Sequence, residues 1–447
     1  MERVLPNGWV ETELGSVSEI VTGNTPSKSV TEYYGDDILW VKPGDFHEQK
    51  VIFKTAEKLS ELGFQKSRKV PAGSILVTCI GNLGNISMAS EDLATNQQIN
   101  SIVIPHDKLS KKYIYYYSLT LKKWLIDNST STTISMVNKS VFEKAPLIFP
   151  ALAEQERIVA KLDKLFAQHE KIKKSLDSIP KLLKTFRQQV LIQAVTGKLT
   201  EKWREGKDLD EWKIEKAEHC CLKVQSGGTP KGSKFTSSGI PFLKVYNIVN
   251  NKIDFDSEPQ YVSEEIHTTQ IKKSIAYPGD VIMNIVGPPL NKIAILTNQY
   301  PEWNLNQAIT IFRVKEYLNN RFLYYFFCEG TSVKSLGHDL RGVVGQANIS
   351  LSQCRNFDIP IPSLQEQQEI VRQVESLFAK ADLIESRSQT LKAKVDALPQ
   401  AILHKAFKGE LVPQLPTDGD ANDLLADIIR LKGEVKPKIA RKKHKVE

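Results

Sequence analysis

The sequence predicts an α+β fold built as an internal repeat, two α+β domains joined by two long helices. Three observations carry that expectation. The stretch FPALAEQERIVAKLDKLFA at 149–167 returns as IPSLQEQQEIVRQVESLFA at 361–379, with nine of nineteen positions identical at a constant offset of 212. Each copy runs on as an amphipathic helical pattern that stops at a glycine. Each is preceded by about 150 residues of short, β-branched runs bounded by Gly, Pro and Asn, an ordinary domain length. A chain of 447 residues is too long for one ordinary domain, and a repeat decides the architecture before any motif is read.

The elements before each helix match in order. EIVTGNTPSKS (19–29) pairs with KVQSGGTPKGS (223–233), and DILWVKPGD (37–45) with GIPFLKVYN (239–247). PAGSILVTCIGN (71–82) pairs with YPGDVIMNIVGP (277–288), and TNQQINSIVI (95–104) with LNQAITIFRV (305–314). The offset drifts from 204 to 212, so small insertions separate retained elements, as they do when confined to loops. SILVTCI, SIVIP, DVIMNIV, KIAIL and AITIF read as strands; YIYYYSL (113–119) and FLYYFFC (322–328) read as helices whose aromatic residues are core. Asn96-Gln97 and Asn306-Gln307 recur in both halves, which points to a shared structural task.

The first helix continues to QQVLIQAVTGKLT (188–200) and the second to QAILHKAFKGELV (400–412), with Gly197 and Gly409 as their stops. Ile158, Leu162, Leu165, Ile172, Leu176, Ile179, Leu183, Phe186 and Val190 step mostly by fours and threes. So do Ile370, Val374, Leu377, Ala381, Ile384, Leu391, Val395, Leu398 and Ile402, the seam of a coiled coil. Pro180 is expected to kink or break the first helix. The expected segments are a domain over 1–150, a helix over 151–205, a domain over 206–362, a helix over 363–413 and an extension over 414–447.

Composition excludes several classes. Hydrophobic residues at 41% and charged residues at 25% are ordinary for a globular protein with real cores. No apolar run has signal-peptide or membrane-span length, so a cytoplasmic protein is expected. Five cysteines without a C-x-x-C pair and scattered histidines indicate neither a disulfide framework nor a metal site. The net charge is +8, but 430–447 alone hold eight Lys/Arg against two Glu, leaving +2 for the rest. Overall basicity is therefore weak support for nucleic acid, and a local patch would be stronger.

Catalytic motifs fail on inspection. GGTPKGSK (227–234) has the glycine spacing of a phosphate loop but ends Ser-Lys where Lys-Ser/Thr is needed. VGPPLN (286–291) resembles the Asn/Asp-Pro-Pro-aromatic loop of amino-methyltransferases, yet Gly287 and Leu290 replace its polar and aromatic members. Gly, Pro and Asn mark turns whatever the function, and the sequence reads as a binding scaffold.

A domain carrying GNTPS and WVKPGD, then a helix opening ALAEQERIVAKLDKLF and closing AVTGKLT, all repeated once, resembles the specificity subunit of type I restriction–modification enzymes. The resemblance spans about residues 6–413, and LLADIIRLKGE (424–434) is similar to the family's C-terminal extension. It implies two target recognition domains, each reading half of a bipartite, asymmetric site in double-stranded DNA, with the two helices as an antiparallel spacer. It implies a non-enzymatic subunit with no cofactor of its own. Two modification subunits would methylate adenine with S-adenosylmethionine, and restriction subunits would add translocation and cleavage with ATP and Mg2+. Half-sites one DNA turn apart lie roughly 34–36 Å apart, and about 40 helical residues make a rod of roughly 60 Å. The alternative is a coiled-coil adaptor with two protein-binding domains and no DNA role.

DNA contacts should come from polar loop residues, with Lys/Arg on phosphate and Asn/Gln/Arg/Lys on base edges. In the first domain these are Thr25, Ser27, Lys28, Lys42, Asn82, Asn85, Thr132, Asn138 and Lys139. In the second they are Thr229, Lys231, Lys234, Lys244, Tyr246, Asn291, Arg341 and Gln346.

Overall fold

A computed structural model of the chain describes residues 5–46, 50–130, 134–232, 235–336 and 347–434. It divides into two compact units, 1–176 with 391–447, and 177–390. Each unit therefore takes one α+β domain together with a segment from each of the two long helices, α1 (Leu152–Val195) and α2 (Leu364–Ala406).

In the first unit, strands Glu19–Thr22, Ile99–Val103, Ile75–Thr78, Ile86–Ala89 and Val51–Ile52 form one sheet in that order. A second sheet runs Tyr34–Gly35, Lys58–Leu59, Ile38–Val41, Leu93–Thr95, Lys69–Val70, with Leu93–Thr95 parallel to Ile38–Val41. The second unit repeats the plan. Cys221–Ser226, Ile309–Val314, Val281–Asn284 and Ile293–Ile295 form its first sheet. Its second sheet holds Tyr261–Val262, Ile240–Leu243 and Asn304–Leu305, the last pair again parallel. An antiparallel pair closes each domain, Val10–Glu13 with Pro146–Phe149 and Lys213–Lys216 with Asp358–Ile361.

The tyrosine-rich stretches are core helices, as the sequence indicates. Lys111–Ser118 buries Tyr113, Tyr115, Tyr116 and Tyr117, with the Tyr113 hydroxyl donating to the Ile148 carbonyl at 2.9 Å. Asn320–Glu329 buries Phe322, Tyr325, Phe326 and Phe327.

The P-x-L-x-E-Q motif that opens each helix has a physical reason. The Gln155 side chain donates to the Pro150 carbonyl at 2.8 Å and accepts from the Ser110 amide at 3.1 Å. Gln367 does the same with the Pro362 carbonyl at 2.8 Å and the Asn319 amide at 2.7 Å. Both glutamines are fully buried and tie the helix start to the aromatic core helix. The preceding glutamates accept from tryptophan indoles, Trp9 to Glu154 at 3.2 Å and Trp212 to Glu366 at 3.0 Å. Gly197 and Gly409, both at φ 73°, turn the chain where each helix ends. Gly197 packs against Trp212, and Gly409 against Pro6 and Trp9. The exit of one helix thus packs on the entry of the other in each unit.

Within each unit the helix segments run antiparallel. In the first unit Arg157 pairs with Asp418 at 2.6 Å and the His169 ring meets the Val395 carbonyl at 2.9 Å. In the second, Arg187 bridges Asp382 at 2.6 Å and Glu385 at 2.8 Å, while Thr200 donates to Glu366 at 2.6 Å. The helical state continues through Pro180, so the expected break is absent. The seam is also narrower than the fours-and-threes pattern implied. Leu162, His169, Leu176, Leu183 and Val190, a strict seven-residue series, are buried, whereas Ile172, Phe186, Ile384, Leu391 and Leu398 are exposed. Two packed helices cover only a narrow stripe of each other, and the flanking positions stay wet. A third helix, α3 (Ala421–Glu434), packs Ala421 and Ile428 into the first core and donates from Lys432 to the Ser18 carbonyl at 2.9 Å.

Candidate nucleic-acid interface

The Asn-Gln turn is the hub of each domain. The Asn96 amide donates to the Val41 carbonyl at 3.0 Å, just before Lys42. The Gly23 and Asn24 amides donate to the carbonyls of Ile99 at 3.1 Å and Thr95 at 2.9 Å. The Cys79 amide donates to the Gln98 carbonyl at 2.8 Å, and the Cys79 carbonyl accepts from the Val137 amide at 2.9 Å. Three chain segments, 23–30, 41–46 and 79–85, are therefore stitched around one turn, and a fourth, 134–139, is bonded to the third of them.

The second domain copies these bonds. Asn306 donates to Leu243 at 3.0 Å, Gly227 to Ile309 at 2.8 Å and Gly228 to Leu305 at 2.9 Å. Ile285 donates to Ala308 at 2.8 Å, and Ile349 to Ile285 at 2.9 Å. Glycine is required where the first segment crosses the turn. A Cβ on Gly23 would lie 2.2 Å from the Thr95 carbonyl oxygen, and one on Gly227 would lie 2.2 Å from those of Leu305 and Asn306. Gly23→Ala or Gly227→Ala is therefore expected to lower stability by about 1–3 kcal/mol through overpacking, with a matching fall in the thermal midpoint. An unchanged midpoint would mean that the crossing relaxes freely.

The hub gathers most of the expected residues. Thr25, Ser27, Lys28, Asn82, Asn138 and Lys139 are exposed, and Lys42 and Asn85 are half-buried. The Thr25 hydroxyl donates to Gln97 at 2.6 Å, and the Ser27 and Ser29 hydroxyls share a bond of 2.7 Å. Asn138 caps the short helix Lys139–Phe142 through the Val141 amide at 2.9 Å, and Lys139 pairs with Glu143 at 3.7 Å. The Lys42 ammonium lies 4.4 Å from the Trp40 ring centre and is bonded to Glu57. That bond holds the Glu57 carboxyl below the usual carboxylate range.

In the second domain Thr229, Lys231 and Tyr246 are exposed, and Lys244 and Asn291 are half-buried. Lys244 sits 4.5 Å from the Phe235 ring and 5.9 Å from Tyr246. Burial, followed by the nearby Glu258 charge, raises the Tyr246 phenol above its usual value. Asn291, at φ 64°, donates to the Phe327 carbonyl at 3.2 Å, so its amide is engaged by the fold. Thr132, Lys234, Arg341 and Gln346 lie outside the described residues, as does the tail beyond Glu434.

Some hub residues carry no sequence signal. Arg68 donates from its backbone to Asn24 at 2.7 Å and from its guanidinium to the Thr22 carbonyl at 2.8 Å, which sets an exposed cation beside the first loop. Gln270 accepts from the Lys231 amide at 3.2 Å in the second domain. Both stand about forty residues from the loops they brace in the sequence (|i−j| of 44 and 39).

The methyltransferase-like motif resolves into a turn. The buried Asn284 side chain donates to the carbonyls of Val286 at 3.2 Å and Pro289 at 2.8 Å and accepts from the Lys292 amide at 2.6 Å, closing 286–291 on itself. Among the described residues no group of His, Cys, Asp or Glu is arranged to hold a metal ion. None of their helices is long and apolar enough to cross a membrane.

A duplicated hub of exposed Lys, Thr, Ser and Asn on an α+β frame is a surface suited to binding a polar ligand. The type I restriction modification DNA specificity domain matches twice, over residues 6–181 and 210–393. The chain belongs to that family, the specificity subunits of type I restriction–modification systems. The EcoBI specificity subunit of Escherichia coli is 31% identical over 374 residues, 78% of this chain and 77% of that one. The EcoKI specificity subunit of Escherichia coli strain K12 is 26% identical over 434 residues, 92% and 90% of the two chains. Among solved structures, the HsdS subunit from Thermoanaerobacter tengcongensis shares the fold, with a TM-score of 0.63 at 18% identity over 91% of this chain and 98% of that one. A chain from a type I R-M system solved for its assembly and conformational transition has a TM-score of 0.64 at 19% identity, covering 92% and 100%. The role of this chain is accordingly DNA sequence specificity, and it is not itself catalytic. The adaptor alternative finds no support.

Proposed function

We propose that each domain reads one half of a bipartite, asymmetric site in double-stranded DNA, through the segments gathered at its Asn-Gln hub. The observation that carries this reading is the contrast within the repeat. The backbone bonds of the hub are copied, while the side chains it presents differ between domains. A shared frame with unshared polar residues is what two readers of different half-sites require. Lys28, Lys42, Lys139, Lys231 and Lys244 would meet phosphates or guanine edges; Thr25, Ser27, Asn82, Asn85, Asn138, Thr229, Tyr246 and Asn291 would meet bases or sugars. The helices act as the spacer, and the domains correspond to residues 1–150 and 206–362.

Two modification subunits would bind, one per unit. Exposed apolar side chains on the helices supply surface for each: Ile172, Leu391 and Leu398 in the first unit, Phe186, Leu383 and Ile384 in the second. S-adenosylmethionine, ATP and Mg2+ would be used by the modification and restriction subunits, in the cytoplasm where the host DNA lies. The test is reconstitution. The chain assembled with modification subunits should transfer labelled methyl groups to one bipartite DNA sequence, and the purified chain alone should transfer none. Methyl transfer by the contaminant-free chain would overturn the reading.

A further inference from the structure

Glu57 is an anion at a surface meant for a polyanion, and the fold goes to some length to place it. Asp45 accepts from the Lys42 amide at 2.8 Å and from the Ala56 amide at 2.8 Å, binding the hub segment to the 55–58 segment. The Thr55 hydroxyl then donates to the Glu57 carbonyl at 2.7 Å. The side chain of Glu57 is anchored through Oε1 to Lys42, while Oε2 has no partner among the described residues. Its side chain remains 44% exposed and lines an open cleft with Lys28, Tyr34 and Lys58, immediately beside the first recognition loop.

The second domain keeps part of this scaffold, with no acid at the position of Glu57, although the Glu258 carboxylate lies near Tyr246 and Asn247 donates to the Asp254 and Glu258 carbonyls. Strand pairing aligns Leu59 with Val262, because Ile38 faces the former and Ile240 the latter. Glu57 therefore corresponds to Gln260, and Lys42 to Lys244. Asn247 takes the place of Asp45 and accepts from the Lys244 amide at 2.9 Å. Lys244 has no ion pair among the described residues and rests on aromatic rings instead. The fold therefore does not need a carboxylate there. An acid that the scaffold can omit, held at a hub where the domains must differ, belongs to recognition.

Repulsion from phosphates makes a carboxylate unfavourable at a DNA face unless it meets a donor, and the donors of the major groove are the exocyclic amines of cytosine and adenine. We propose that Glu57 is a specificity-determining residue of the first domain, accepting a hydrogen bond from a base exocyclic amine in the major groove while Lys42 fixes its orientation. This rests on the assignment of the hub to DNA.

The test uses the complex with modification subunits. Methylation mapping with the wild-type complex defines the half-site read by the first domain. Binding is then measured for duplexes lacking single amino groups there, with purine for adenine or pyrimidin-2-one for cytosine. The wild type should lose roughly tenfold in affinity at one position, and which analogue does so identifies the base. Glu57→Ala should bind both duplexes alike, accept other bases at that position only, and keep the wild-type salt slope and thermal midpoint. Glu57→Ala that still discriminates at every position would overturn the proposal. So would uniform tightening on all sequences with a salt slope steeper by about one, since Glu57 would then only mask Lys42. A wild-type complex without sequence preference would overturn the underlying assignment as well.

Discussion

Leu162→Asp and Val374→Asp, introduced together, are expected to prevent folding of both units and assembly with any partner. Both positions are fully buried, Leu162 where α1 meets the first core and Val374 where α2 meets the second. Each sits within a cluster of apolar side chains, so each aspartate would be an uncompensated buried charge, costing about 3–5 kcal/mol. Whole domains are stable by only about 5–15 kcal/mol. Loss of a cooperative thermal transition is the expected readout. Leu165→Asp with Leu377→Asp, at half-buried positions one step away, should shift the transition far less. Equal effects from the two pairs would contradict the narrow seam.

The second large effect separates two carboxylates that the repeat makes equivalent. Glu366 is fully buried, accepts hydrogen bonds from Thr200 at 2.6 Å and Trp212 at 3.0 Å, and is ion-paired with the Arg204 guanidinium at 3.0 Å. Glu366→Gln weakens the charge-assisted bonds from Thr200 and Trp212 and removes the counter-charge of a part-exposed guanidinium, and is expected to cost about 1.5–3 kcal/mol. Glu154 accepts from the Trp9 indole at 3.2 Å and lies near Gln414, Arg157 and Asp418, with no full counter-charge of its own because Arg157 is paired to Asp418; burial, the largest influence on it, raises its carboxyl above the usual range. A carboxyl raised on folding contributes stability at pH below its unfolded value, and that contribution is lost as pH rises through the folded value. Glu154→Gln should therefore be nearly neutral or stabilising at neutral pH and cost more in acid. Paired thermal unfolding at pH 4 and pH 7 checks both. A Glu154→Gln protein as damaged as Glu366→Gln at pH 7 would contradict the assignment.

Much of the architecture was legible because the repeat writes it twice. The P-x-L-x-E-Q signature and the glycine exits located both helices, and the buried glutamines and tryptophan-bonded glutamates explain why those letters recur. The tyrosine-rich stretches read correctly as core because their spacing left no polar face. The helix seam was overdrawn, since apolar spacing marks every residue that could be covered and cannot say how wide the cover is. Pro180 does not break the helix: a proline removes one backbone donor, and packing along the rest of the helix outweighs that loss.

The hub was legible only in part. Asn96-Gln97 stood out by recurrence, and it lies in the turn whose backbone ties three segments together, while the Asn96 side chain closes on Gln98 and Gln97 accepts from Thr25. Arg68 and Glu57 did not stand out, because their places depend on pairings between segments far apart in sequence. Asn247 differs from Asp45, yet its amide oxygen replaces one carboxylate oxygen on the equivalent backbone donor. Hydrogen-bond geometry was kept there while residue identity was not.

Independent reading by the two domains is tested most directly by methylation mapping of a domain exchange. Residues 6–148 are replaced by the matching domain of a relative, the protein is expressed with its modification subunits, and modified adenines are located genome-wide by single-molecule sequencing. The account predicts that one half of the methylated sequence changes to that of the donor while the other half and the gap between them stay as they were. A change in both halves together would contradict it and would mean that the two domains build one composite site.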